Sequence, residues 1–312
     1  MNLDINTYEY NPGVSFMSQN LLGTAEITGG YKYLSSQKGN NYYLDISYKG
    51  WYPTVSLGAE HFDYIYHSTN GIDTSFRINS NFVYVAIAQP LNLSKGKYYN
   101  FLQPSVSFGF QTMDVLPNQY YKSLRYRFYA HHLLRRSTRD LESRWGQKLD
   151  FNFYHTPHSD FDYGYLMALE TSFYFPGIGR HHSFKIYVAG QKNHFSDYSY
   201  NNAIEFPRGY HDVISNEAVC VKTDYRFPIW YPDFSISSLA YIKRIKGGVF
   251  YDISNNRNAT LEKMNSLGMD LSADVHFLRF IAPIEVGFRV IYLPQTKSTE
   301  YNLLFSIDFN GI

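Results

Sequence analysis

Few residues in this chain could do covalent chemistry. The run His155-Thr156-Pro157-His158-Ser159-Asp160 holds the residue types of a serine hydrolase. A catalytic triad is a matter of geometry, however, and adjacency in sequence supplies none, so loop polarity accounts for the run. The pairs His131-His132 and His181-His182 would each point to opposite faces of a strand, which keeps either pair from holding one ion. Cys220 is the single cysteine, so no internal disulfide can form, and no Cys/His spacing of the structural zinc type occurs. No phosphate-binding loop or dinucleotide fingerprint is present. The expectation is a protein that is not an enzyme, with no metal site and no cofactor.

The elements that must position any other chemistry are announced by composition. Among 312 residues there are 31 Tyr and 24 Phe, so that 19% are aromatic and only 18% charged, against about 25% charged in an ordinary soluble domain. Lys plus Arg number 28 and Asp plus Glu 27, a net charge of +1 that argues against a nucleic-acid partner. A mean hydropathy of -0.35 excludes a bundle of membrane-spanning helices. It does not exclude a membrane barrel, whose strands alternate apolar and polar residues. The start, Met1-Asn2-Leu3-Asp4-Ile5-Asn6, has no basic and then apolar stretch, so no signal peptide is expected there.

Period-2 alternation runs through nearly the whole chain and marks strands with one apolar face. Leu267, Met269, Leu271, Ala273, Val275 and Phe277 alternate with Ser266, Gly268, Asp270, Ser272, Asp274 and His276. Val219, Val221, Tyr225 and Phe227 alternate with Cys220, Lys222, Asp224 and Arg226. Tyr301, Leu303, Phe305, Ile307 and Phe309 share one face, and on the other face Leu304 is the apolar exception. Strands are predicted near 2–10, 12–19, 23–34, 40–49, 53–66, 74–90, 98–113, 122–133, 146–156, 163–175, 182–192, 216–228, 239–254, 264–277, 283–292 and 300–310. That is an even sixteen, as an up-and-down barrel requires.

The connections fall into two alternating sets. One is tight and rich in Gly, Pro and aromatics, as in Gly50-Trp51-Tyr52-Pro53 and Pro176-Gly177-Ile178-Gly179, and suits periplasmic turns at headgroup level. The other is polar and longer, as in 67–73, 114–121 and 193–215, and suits solvated outer loops. A soluble sandwich also alternates, but charges on the polar face imply a wide lumen filled with water, and a barrel of sixteen strands is too wide to fill with its own side chains. On the short-turn side, Arg135 to Trp145 is long and carries four arginines. It reads as a solvated turn touching anionic headgroups, with docking of a periplasmic domain as the alternative.

The longest loop, 193–215, contains Phe206-Pro207-Arg208-Gly209-Tyr210, followed by Thr223-Asp224-Tyr225-Arg226-Phe227-Pro228 and Gly248-Val249-Phe250-Tyr251-Asp252-Ile253-Ser254. Together and in this order, these segments resemble the outer-membrane protein assembly superfamily, the barrels of BamA, TamA and the two-partner secretion transporters. The resemblance implies an all-β, sixteen-stranded antiparallel transmembrane barrel whose long sixth outer loop folds into the lumen. It makes Arg208 the loop-tip cation, held by Asp224 and Asp252 on the twelfth and thirteenth predicted strands. Both carboxylates lie on the polar parity of their strands, where a guanidinium could pair in bidentate geometry. Pro207 stands where the family has an aliphatic residue, Ser254 where it has Gly, and three residues follow Phe309.

The same resemblance makes Tyr301, Leu303, Phe305, Ile307 and Phe309 the closing-strand signal. It implies residence in the outer membrane of a Gram-negative type of cell. The implied partners are outer-membrane lipid, unfolded or nascent outer-membrane proteins, and periplasmic or lipoprotein partners. Residues 1–312 are expected to be one barrel domain, with any N-terminal periplasmic domain absent from this chain. Two functions stay open: a barrel that inserts or exports proteins, and a passive pore or membrane anchor.

Overall fold

A computed structural model of the chain describes residues 12–34, 38–68, 74–114, 120–157, 160, 164–194, 200–210, 213, 215–237, 239–257, 261–277 and 283–307. Among these residues, seventeen strands form one antiparallel sheet. They are β1 Gly13–Gln19, β2 Ala25–Leu34, β3 Gly39–Tyr48, β4 Thr54–Ser68, β5 Thr74–Ala88, β6 Leu91–Asn92, β7 Tyr98–Met113, β8 Tyr120–Leu134 and β9 Gly146–His155. The second half comprises β10 Tyr165–Pro176, β11 Ser183–His194, β12 Glu217–Trp230, β13 Phe234–Ile236, β14 Ala240–Arg257, β15 Lys263–Phe277, β16 Ile284–Leu293 and β17 Ser298–Ile307. Fifteen of them are long and meet the expected strands one for one from 12–19 onward. The expected strand at 2–10 lies outside the described residues.

The remaining two, β6 and β13, arise because β7 and β14 run past the ends of β5 and β12. The returning chain pairs Leu91 with Leu102 and Phe234 with Ile242, satisfying backbone groups that would otherwise be bare at the rim. Each long strand pairs with its neighbours in chain order, and among the described residues no ladder joins β1 to β17. A ten-residue strand rises about 33 Å along its axis, enough when tilted to cross an apolar band of about 25 Å.

The pattern of burial is inverted relative to a soluble domain. On one face Met269, Leu271, Val219 and Leu303 are exposed, the last at 75%. The opposite face buries Lys222, Asp224, Arg244, Lys246, Asp252, Asp274 and Arg289. Apolar side chains outside and paired charges inside suit lipid around the wall and a polar lumen. The molecule is a barrel-like transmembrane sheet. Its lumen wall carries ion-pair ladders, among them Arg289 with Asp270 at 2.7 Å and Lys246 with Asp274 at 2.9 Å.

Candidate functional site

Between β11 and β12 the chain turns back into the lumen, and the polar face of β11 ties it down. Asn193 Nδ2 donates to the Tyr200 carbonyl at 2.8 Å. Gln191 grips both legs of the loop: its Nε2 donates to Asn202 Oδ1 at 2.7 Å and to the Ser215 carbonyl at 2.9 Å, and its Oε1 accepts from the Ala203 amide at 3.1 Å. Ile204 and Phe206 then pack on Ala168, Tyr187, Ala189, Ala218 and Cys220, an apolar patch on an otherwise polar wall. Small residues at four of these positions leave the depth the loop occupies. Glu205 accepts from Lys222 Nζ at 2.8 Å, while its amide donates to the Tyr187 hydroxyl at 3.1 Å.

Pro207 is fully buried, and Arg208 follows it into the wall. Arg208 Nη2 donates to both oxygens of Asp224, at 2.7 and 2.9 Å. The Arg208 amide donates to Asp252 Oδ2 at 3.1 Å, and Nε stands 3.6 Å from the same oxygen. The structure therefore brings Arg208, Asp224 and Asp252 together, but by one nitrogen straddling Asp224 and a main-chain bond to Asp252, without the two-nitrogen fork. Arg208 Nη1 and Asp252 Oδ1 are buried without hydrogen-bond partners. Burial pulls the Arg208 guanidinium pKa down, but the Asp224 and Asp252 carboxylates outweigh that and hold it above its ordinary value.

Phe250 was not foreseen from sequence. The Arg208 guanidinium lies 4.2 Å from its ring centroid, and that of Arg289 lies 5.5 Å from it, so one ring face serves a cation–π contact with the lock. The ring has room because Gly268 is its cross-strand partner; a Cβ there would lie 2.5 Å from Phe250 Cζ. The available signal was an aromatic residue on the polar parity of β14, between Gly248 and Asp252. At the tip, Gly209 has φ +85°, and a Cβ would come 2.9 Å from Leu293 Cδ2. The positive φ favours glycine there, and an added Cβ would displace the Leu293 methyl. Tyr210 packs on Phe250, Ile291 and Leu293, and its hydroxyl donates to the Asn265 carbonyl at 3.1 Å.

With this geometry in view, three solved structures compare closely in fold. CdiB from Escherichia coli aligns with a TM-score of 0.59 and 12% identity, covering 96% of this chain and 59% of that one. BamA from Haemophilus ducreyi lacking POTRA domains 1-3 aligns at 0.56 and 11%, over 96% and 68%. CdiB from Acinetobacter baumannii aligns at 0.57 and 9%, over 97% and 57%. The chain has the fold of the BamA and CdiB barrels. It spans about three fifths of the CdiB chains that it matches. No protein-family model and no curated protein sequence matches it.

At the opposite end of this BamA-like barrel, the turn between β8 and β9 keeps its four arginines exposed, as the solvated reading expects, but is not solvated throughout. It folds inward as a strap, with Asp140 and Leu141 buried. Asp140 Oδ1 lies 2.7 Å from His181 Nδ1 and accepts from Arg144 Nε at 3.2 Å, while Oδ2 accepts from the Ser137 amide at 3.2 Å. Arg244 on β14 donates to the Asp140 carbonyl at 3.3 Å, and the Tyr231 hydroxyl donates to the Arg139 carbonyl at 3.2 Å. Glu142 pairs with Arg226 of β12 at 3.6 Å. Strap contacts therefore reach segments far from β8 and β9, because buried backbone and carboxylate groups need donors that the turn itself lacks.

The other predicted residues are placed as follows. Tyr301 and Leu303 project from the exposed face of β17, Phe305 is half-buried, and Ile307 ends the strand; Phe309 lies outside the described residues. His155 stacks on Tyr126 at 6.0 Å, Asp160 accepts from the Tyr120 amide at 2.7 Å, and His158 and Ser159 lie outside the described residues. His182 contacts the Tyr225 hydroxyl at 2.8 Å, away from the Asp140 partner of His181.

Proposed function

We propose that this chain is the barrel of an outer-membrane protein that assembles or translocates other proteins, acting without covalent chemistry. The observation that carries the reading is Arg208, delivered by the long loop into the lumen of a BamA-like and CdiB-like barrel and seated between Asp224 and Asp252. A loop whose tip is seated by one buried cation between two carboxylates can be released at that tip. The pair adds little net stability, but removing either partner costs about 3–5 kcal/mol. On this reading the partners are membrane lipid and unfolded polypeptide. The edges of the described sheet, β1 and β17, mark the seam where a client strand would add, since bare edge groups in lipid cost several kcal/mol each.

The test is depletion of the protein in its own cells. It would be followed by quantitation of other barrel proteins in the outer membrane and of proteins released to the medium. Loss of either population, restored by the wild-type gene and poorly by Arg208→Ala, is expected. If both populations are unchanged, a passive pore or anchor is the better description.

A further inference from the structure

Between the seated loop and the strap lies a cavity of about 210 Å³, walled by β8 to β12 and roofed by Glu205 and Arg208. Its carboxylates are each answered by a donor. Asp150 is held by Arg127 Nε at 2.9 Å, Asp224 by Arg208 at 2.7 Å, Glu205 by Lys222 at 2.8 Å and Glu170 by the Tyr187 hydroxyl at 2.5 Å. Two of its cations are answered only at a distance, Lys185 by Asp224 and Glu205 and Lys148 by Glu142. Lys148 on β9 and Lys185 on β11 flank Tyr174 of β10, with Nζ atoms 5.4 and 5.9 Å from its ring centroid. Among the described residues neither lysine has a carboxylate at ion-pair distance. Arg208 adds its unpartnered Nη1 to the same neighbourhood.

Two like charges that converge on a narrow polar space repel each other, and low-dielectric walls raise the local concentration of counter-ions. The ring of Tyr174 eases each ammonium but cannot neutralise it. We infer that this cavity binds a small oxyanion, of the carboxylate or phosphate class, between Lys148 and Lys185. Ser172, whose register partner on β9 is Lys148, lines the same cavity and presents a hydroxyl of the kind that donates to such an anion. The inference does not depend on the assembly reading, because binding is read directly.

The experiment uses the full chain, folded in detergent. Inorganic phosphate is titrated calorimetrically at constant ionic strength made up with chloride, and the thermal midpoint of the folded band on a gel is recorded in parallel. Wild type is expected to show saturable binding and a raised midpoint. Lys148→Gln and Lys185→Gln should each weaken binding by about tenfold or more, since a charge-assisted contact is lost, and Lys185→Arg should retain it. In chloride alone, each Gln variant should melt no lower than wild type, because a repulsion is relieved.

A short glutamate peptide forms the second arm. If it binds with the same lysine dependence and more tightly than phosphate, the site receives carboxylates of a polypeptide; if phosphate binds and the peptide does not, the ligand is a free ion. Absence of saturable binding of either probe to wild type, or binding unchanged in the Lys148→Gln/Lys185→Gln double variant, overturns the inference.

Discussion

Each end of the lumen receives an inward-folded segment, and the two are tied to the wall by charges of opposite sign. At the loop end a cation, Arg208, is carried into a wall that offers Asp224 and Asp252. At the turn end anions, Asp140 and Glu142, are carried toward His181, Arg244 and Arg226. Strand β12 serves both, since Asp224 and Arg226 lie two residues apart on its lumen face. The devices also differ in redundancy. At the loop end one buried guanidinium serves two carboxylates, beside the Glu205–Lys222 pair and the Gln191 bonds, whereas the strap spreads its hold over a carboxylate, two carbonyls and a separate ion pair. Removing Arg208 strips two buried carboxylates of their cation at once, so a single substitution should perturb the first end more than the second.

The largest effect is expected from Arg208→Ala, which leaves Asp224 and Asp252 buried without their cation. Single-channel recording should show a rise from a small to a large and noisy conductance, with Arg208→Lys between the two. Asp252→Ala should resemble Arg208→Ala, and the double variant should be no worse than either single, because partners in one contact are not additive. Simple additivity would show that the loop is not held by this contact.

Gly209→Val should come next, costing about 1–3 kcal/mol through a positive φ that a β-branched residue resists, together with a clash against Leu293. Its readout is Cys220, buried beneath Ile204 and Phe206. Faster labelling by a thiol reagent in the variant than in wild type is expected, and equal rates would mean that the tip does not seat the loop.

Asp140→Ala should raise conductance less than Arg208→Ala does. The main-chain bonds from Arg244 and Tyr231 and the Glu142–Arg226 pair all survive the substitution. A larger effect than that of Arg208→Ala would reverse the ranking of the two ends.

The smallest effect is one of pH. Burial raises the Asp140 carboxyl pKa, but the His181 contact, the Ser137 amide and Arg144 more than offset this and leave it below the ordinary value of 3.8. A carboxyl depressed in the folded state contributes stability above its unfolded pKa and loses it as pH falls through the folded one. The strap should thus be insensitive above about pH 4 and loosen below it. Asp140→Asn should abolish that acid step in conductance noise, and a step that persists in the variant would assign it to another group.

The loop end was legible and the turn end was not, for a physical reason. Arg208, Gly209, Asp224 and Asp252 sit in short segments whose residue types and order can be recognised together, and their strand parity already points both carboxylates inward. Asp140 has no such company. Its partners come from the turn between β10 and β11, from β14 and from its own turn, and nothing in the run Arg135 to Trp145 shows that Asp140 and Leu141 fold inward while the arginines stay exposed. Phe250 was hidden in another way. Aromatics on the polar parity are common in this chain, and only the ladder that sets Phe250 opposite Gly268 reveals which ring has space to receive a guanidinium.

Alternation by itself determined the long strands, their inward and outward faces, and the division of connections into two sets. A side-chain period of two, read against lipid on one side and water on the other, leaves little freedom in these assignments. The rims escaped it: β6 and β13 are too short to have a period and exist only because β7 and β14 overrun their neighbours. The tertiary structure alone decided that Asp140 and Leu141 of a basic turn fold inward, that Arg208 straddles Asp224 without forking, and that Lys148 and Lys185 meet with no carboxylate at ion-pair distance. Each depends on which side chains from distant strands arrive at one depth of the lumen. That depth is set by the stagger and pairing of the whole sheet, and no local stretch of sequence carries it.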